Sequence, residues 1–202
     1  MTKSEFTAYL EPFVTQAIQD TGTTIKPSVI IARALIESGS KNGFGVSQLQ
    51  TDANNFFGFT ANKNYSGEKQ LFKTWESVSI PTYGEEKFLG KNQKGAYEYL
   101  RYFRKYNSPL ESIKDFIHLV STSPKFSQAL QADTAKAQAQ IIARGGYATS
   151  PYSESLFVTL VNESENLLSK LGTLAKEHTT GIAVSITTLF TVGILIYFLT
   201  RN

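Results

Sequence analysis

Apolar residues at Phe6, Leu10, Phe13, Val14, Ala17 and Ile18 recur at the spacing of one helical face, which predicts a helix over Thr2 to Asp20. Pro12 is expected to divide it into two pieces and Gly22 to end it. A second helix opens at Pro27, a favoured first helical position, runs through PSVIIARALIES and stops at Gly39. It is apolar nearly all round apart from Lys26 and Arg33, so it should be the central buried helix.

From Gly43 to about Ser108 the pattern changes to Gly, Asn and aromatic residues, with strand-like segments at Phe72–Ser77 and Tyr97–Tyr106. Trp75 alternates with Phe72, Thr74 and Glu76 and is expected to point into the core of this small β lobe. Helical spacing then resumes. Ser108-Pro-Leu-Glu111 reads as a capping box with Pro at the first helical position, followed by Ile113, Phe116, Ile117 and Val120. Asp133 to Arg144 is Ala-rich and closed by Gly145-Gly146. Ser150-Pro151 should cap a last helix whose Leu156, Leu160, Leu167, Leu171 and Leu174 lead toward the end of the chain.

The end of the chain is a different object. Gly181–Leu199 (GIAVSITTLFTVGILIYFL) is nearly pure apolar, and residues 179–200 carry no charge. Nineteen helical residues at about 1.5 Å each span about 29 Å, close to the hydrocarbon thickness of a bilayer. This predicts a C-terminal transmembrane helix, with 1–178 as the soluble domain (β lobe about 43–108) and 179–202 as anchor. The N-terminal MTKSEFTAYLEPFV has no long apolar stretch and no small-residue cleavage site, so no signal peptide is expected. Lys170 and Lys176 outnumber Arg201 across the run, which favours the domain on the cytoplasmic side.

Composition narrows the chemistry. The 202 residues carry 20 Lys+Arg against 17 Asp+Glu and no Lys/Arg-rich run, which argues against a nucleic-acid partner. The absence of cysteine removes disulfides, thiol nucleophiles and Cys-containing zinc sites. With only His118 and His178, a multi-His metal centre is excluded and no cofactor is expected. His118, in DFIHLV, reads as a packed residue. The glycines at 43, 45 and 58 fit no phosphate loop. Carboxylates, hydroxyls and amides remain.

Among these, Glu37 lies in the last turn of the apolar helix. The electronegative helix end and apolar neighbours favour its protonated form, which suits a general acid. On this helix alone, an ordinary exposed glutamate at a helix end is the favoured reading. Glu76 by itself reads as a solvated strand carboxylate, and Glu111 is accounted for by the cap. Eight of the ten tyrosines fall between Tyr65 and Tyr152, which suits either sugar stacking or simple strand preference.

Taken in order, PSVIIARALIESG, GFGVSQL, NNFFGF, KTWES, FRKYNSPLESIKDF and GGYATSPY resemble the family 73 glycoside hydrolases. These are the glucosaminidase domains of bacterial autolysins, flagellar-rod hydrolases and phage lysins. The resemblance spans roughly residues 5 to 165. It implies an α+β, mainly α, lysozyme-like helical domain with a small β-hairpin lobe, acting on the β-1,4 glycosidic bonds of peptidoglycan. By the resemblance, Glu37 takes the place of the general acid, Glu76 that of a second carboxylate and Tyr147 that of a tyrosine facing the reacting sugar. Asn54, Asn55, Phe56 and Gly58 match a loop that floors the groove, and Phe44, Tyr106 and Tyr152 join them as candidate sugar contacts.

The chain departs from the family pattern in four places. Ser40 to Gly43 look inserted, Phe44 replaces a more usual tryptophan, the hairpin after Glu76 is long, and Ser150 stands for aspartate. A lytic transglycosylase or muramidase on the same fold, or a non-catalytic glycan-binding virion protein, are the competing readings. The expected partners are glycan strands, a lipid membrane through residues 181–199 and other virion membrane proteins. A wall hydrolase with a membrane tail is expected in a phage particle with an internal membrane, or at the host membrane during lysis.

Overall fold

The computed structural model describes residues 1–40, 43–146 and 153–181. The expected transmembrane run, Tyr147, Ser150 and Tyr152 lie outside the described residues, apart from Gly181. No helix among the described residues is long and apolar enough to cross a membrane.

Helix α1 spans Lys3–Thr21 as one continuous element with Pro12 inside it, rather than as two pieces. A buried stripe of Phe6, Leu10, Val14 and Ala17 continues past the proline, so core packing outweighs the lost backbone hydrogen bond. A capping box between Thr2 and Glu5 starts the helix, and Gly22 ends it in the left-handed conformation at φ 63°.

The polar residue Gln138 organises the entry to α2 (Pro27–Ser38). Fully buried, it accepts the Lys26 N–H at 2.8 Å and donates to the Thr24 carbonyl at 2.9 Å, tying α2 to α5 (Ala135–Arg144). Nine of the twelve α2 residues are buried, as its all-round apolar pattern predicts. Helices α1, α5 and α6 (Ser153–Gly181) pack on this central rod, α4 (Pro109–Thr122) packs on α1, and one core cluster joins them.

Immediately after α2 the chain makes a two-stranded ribbon, β1 (Gly39–Ser40) with β2 (Gly43–Phe44). Ser40 and Gly43, the two ends of the stretch that looks inserted in the sequence, pair within this ribbon. A short α3 (Gln48–Ala53) leads into the lobe, a three-stranded antiparallel sheet in the order β3-β5-β4. Strand β3 is Lys69–Glu76, β4 is Lys87–Lys91 and β5 is Tyr97–Arg104. The long segment after Glu76 thus carries the chain past β5 to its far side and adds a third strand.

Two sequence expectations change. Trp75 is 69% exposed: Phe72 packs with Phe103 on Ala53, which fixes the inner face, and alternation turns Trp75 outward. His118 is exposed on the outer side of α4, not packed. On α6 the buried line is Phe157, Leu160, Val161 and Ser164, while Leu156 is exposed.

The loop before the lobe joins both parts through Phe57, whose ring stacks on Phe116 of α4 at 4.5 Å and 6° between planes. Phe116 is fully buried. Phe116→Ala is expected to lower unfolding free energy by about 3–5 kcal/mol in urea denaturation.

Candidate active site

Glu37 occupies the last turn of α2, where the helix gives way to the β1–β2 ribbon. Its side chain is 29% exposed and forms an ion pair with Arg33, one turn earlier on the same helix. The Arg33 side chain is 2% exposed and lies 6.0 Å from the Phe157 ring centroid. Three influences therefore meet at the Glu37 carboxyl. The carbonyl end of α2 and partial burial oppose negative charge, whereas the guanidinium favours it. The i,i+4 spacing of Arg33 and Glu37 is the sequence signal that would have paired them.

Facing Glu37 is Gly58, at φ +68°. A Cβ on Gly58 would stand 3.3 Å from Glu37 Oε2, so this position favours glycine for both backbone conformation and close approach. The other residues of the NNFFGF loop hold Gly58 in place. Asn54 caps α3 at φ 49° and donates to the Tyr106 carbonyl at 3.0 Å. Asn55, fully buried, accepts the Phe59 N–H at 3.0 Å and donates to the Phe59 and Arg104 carbonyls, each at 2.9 Å. Phe56 is buried against Phe6 and Tyr9, and its N–H donates to Ser112 Oγ at 3.2 Å. Of these four, Gly58 alone is brought against Glu37.

Phe44 lies beside the acid's helix end, its ring 6.1 Å from Phe6 and against Gly39. Tyr106 sits in a structural clasp. It is 7% exposed, and its hydroxyl donates to Asp115 Oδ2 at 2.5 Å while Arg104 Nη1 bonds the same oxygen at 2.6 Å. Burial, followed by the Asp115 carboxylate, pushes the Tyr106 hydroxyl far above its ordinary range, so it stays a donor. The FRKYNSPLESIKDF motif thus fastens β5 to α4. Ser108 caps α4, and Glu111 accepts the Asn107 N–H at 3.0 Å.

Glu76 ends β3 opposite Tyr97, with its side chain 32% exposed. Arg101 on β5 fixes it at 2.9 Å. No hydrogen bond or ion pair joins Glu76 to Glu37 among the described residues; each carboxylate is oriented by its own arginine. Sequence reading missed Arg101, and also Glu86, a buried carboxylate that accepts the Tyr102 and Tyr83 N–H groups at 3.0 and 3.2 Å. Glu86 follows a loop with no motif, so no local signal marks it. No group of His, Asp and Glu suited to a metal occurs among the described residues.

A helical body around one buried helix, a β lobe and a carboxyl at that helix's end are the features of a lysozyme-like fold. The glycoside hydrolase domain of Salmonella typhimurium FlgJ superposes with a TM-score of 0.63 at 21% identity, covering 90% of this chain and 100% of that one. The catalytic domain of the Listeria monocytogenes autolysin Auto gives 0.61 at 27% identity, over 82% of this chain and 85% of that one. The family whose sequence pattern matches residues 14–165 is Glucosaminidase, described as mannosyl-glycoprotein endo-beta-N-acetylglucosaminidase, and the chain belongs to it. Among curated relatives, the peptidoglycan hydrolase FlgJ of Escherichia coli K12 is 26% identical over 147 residues, 71% of this chain and 41% of that protein. The Vibrio cholerae FlgJ is 26% identical over 152 residues, 74% of this chain and 40% of its own length. The chain thus spans about two fifths of the length of these relatives.

Because the Tyr106 hydroxyl is committed to Asp115, Tyr106→Phe is expected to cost about 1–2 kcal/mol of stability in thermal denaturation. Turnover per folded molecule should be unchanged; a large loss of turnover at full folding would return Tyr106 to the substrate contacts.

Proposed function

We propose that this chain is a peptidoglycan hydrolase of the glucosaminidase type, cleaving β-1,4 glycosidic bonds of the glycan strand with Glu37 as general acid. The observation that carries the reading is the setting of Glu37: a part-exposed carboxyl at the end of the buried helix, with bare backbone at Gly58 against one of its oxygens. A glycine there keeps a side chain off that edge of the carboxyl and leaves its oxygen reachable by a substrate. Family membership and the FlgJ and Auto relatives support the choice of polymer.

In this mechanism Glu37 gives its proton to the leaving glycosidic oxygen as positive charge develops at the sugar. Arg33 keeps the carboxyl directed out of the helix and attracts the negative charge left after transfer. Glu76, oriented by Arg101, is the candidate to activate water on the opposite face; the acetamido group of an N-acetylated sugar is the alternative nucleophile. Tyr147 and Tyr152 complete the proposed sugar contacts by family resemblance. Membrane attachment through residues 181–199, in a phage particle or at the host membrane, is part of the same proposal and is supported by the length and apolarity of that run. Detection of the chain in the membrane fraction of purified particles tests it; recovery only in the aqueous fraction of cells would count against it.

Glu37→Gln is expected to lower release of reducing ends from purified peptidoglycan by about 10²–10⁴-fold with unchanged circular dichroism. Equal activity of the two proteins would overturn the assignment. Mass spectrometry of the released muropeptides identifies the bond from its new end. Removing the guanidinium has a signed consequence: without it the Glu37 carboxyl holds its proton to higher pH. In Arg33→Gln the alkaline limb of the pH–rate profile should therefore move upward, and an unmoved limb would remove Arg33 from control of the acid.

A further inference from the structure

The outward face of the β lobe carries a feature that the hydrolytic site does not use. Trp75 is 69% exposed on β3, on the side of the sheet opposite Glu76. It opens into a concavity of about 580 Å³ lined otherwise by Asn92, Gln93, Lys94 and Ala96, from the turn between β4 and β5. That turn is rigid: Asn92 Oδ1 accepts the N–H groups of Lys94 at 2.9 Å and Ala96 at 3.0 Å, and the Asn92 carbonyl accepts Gly95 N–H at 2.9 Å. Among the described residues the indole N–H, Asn92 Nδ2, the Gln93 amide and the Lys94 ammonium enter no hydrogen bond or ion pair within the protein.

We propose that Trp75 and the Asn92–Lys94 turn form a second glycan-binding site, outside the cleavage site, that takes the pyranose rings of an N-acetylated amino-sugar chain. A flat indole offers the apolar platform that the C–H face of a pyranose stacks upon. Neutral amides held beside it by a fixed turn match hydroxyl and acetamido groups, and no acidic side chain lines the hollow. The one charged lining group, Lys94, suits the carboxylates of peptides attached to such a glycan. A polymer engaged here stays tethered while its other segments reach Glu37, which raises the effective concentration of cleavable bonds. The inference rests on the reading of the substrate as a glycan, but its readout is binding rather than cleavage.

Trp75 is the only tryptophan in the chain, so emission under tryptophan-selective excitation reports on this site rather than on the tyrosines. In the full chain carrying Glu37→Gln, titration with soluble N-acetylglucosamine oligomers should change Trp75 emission and shield it from acrylamide. Trp75→Ala should weaken co-sedimentation with purified sacculi about tenfold, and Trp75→Phe should restore much of it. Unaltered emission at glycan concentrations that saturate cleavage by the unsubstituted chain would overturn the site and leave the hydrolase reading standing. An emission change with no cleavage by that chain would leave the site standing alone. A response to phosphatidylglycerol–phosphatidylethanolamine vesicles but not to glycan would overturn it in favour of a lipid surface.

Discussion

The burial of α2 on nearly every side is the constraint on which the molecule turns. A helix with nine of twelve residues out of solvent is fixed in rotation and translation by its neighbours, and the group at its end inherits that precision. Glu37 needs no long-range support of its own because the rod delivers it. The cost is a buried cation, Arg33, tolerable because a carboxylate lies one turn away and an aromatic ring lies nearby. Packing and chemistry meet in this one pair.

Around that rod, the polar residues of the family motifs divide into those that meet the acid and those that hold the loop. Asn55 satisfies both backbone groups of Phe59, in a segment that belongs to neither helix nor strand, and ties it to the Arg104 carbonyl at the end of β5; Asn54 and the Tyr106–Asp115–Arg104 clasp fasten the neighbouring backbone. An asparagine in a motif thus acts here as a substitute for secondary structure. Gly58, which contributes no side chain, comes to the carboxyl that Arg33 pairs with.

Much of the helical body was legible in the sequence because its signals are local. Pro27 and Gly39 bound α2, Ser108-Pro109 opens α4, and the periodicity of Phe6, Leu10, Val14 and Ala17 marks the buried stripe of α1. Continuity through Pro12 was not legible, since it depends on tertiary packing that outweighs a local rule. Trp75 was misread for a related reason: alternation shows that two faces exist, but which one is inward is decided by Ala53 and Phe103, distant in sequence. The pairing of Glu76 with Arg101 and the buried Glu86 depend on a strand order, β3-β5-β4, that adjacency in the chain does not suggest. Glu37 emerged as the candidate acid from its helix end and its motif together, neither being sufficient alone.

The same strand order leaves β3 and β4 as the two margins of the sheet, each with unpaired backbone available to a neighbouring molecule. Both margins carry lysines, Lys69 and Lys73 on one and Lys87 and Lys91 on the other. Lys73 is paired with Glu98, but Lys69, Lys87 and Lys91 form no ion pair among the described residues, and like charges brought edge to edge repel, which disfavours strand exchange between copies. A crowded population of such molecules is thereby kept from knitting its sheets together.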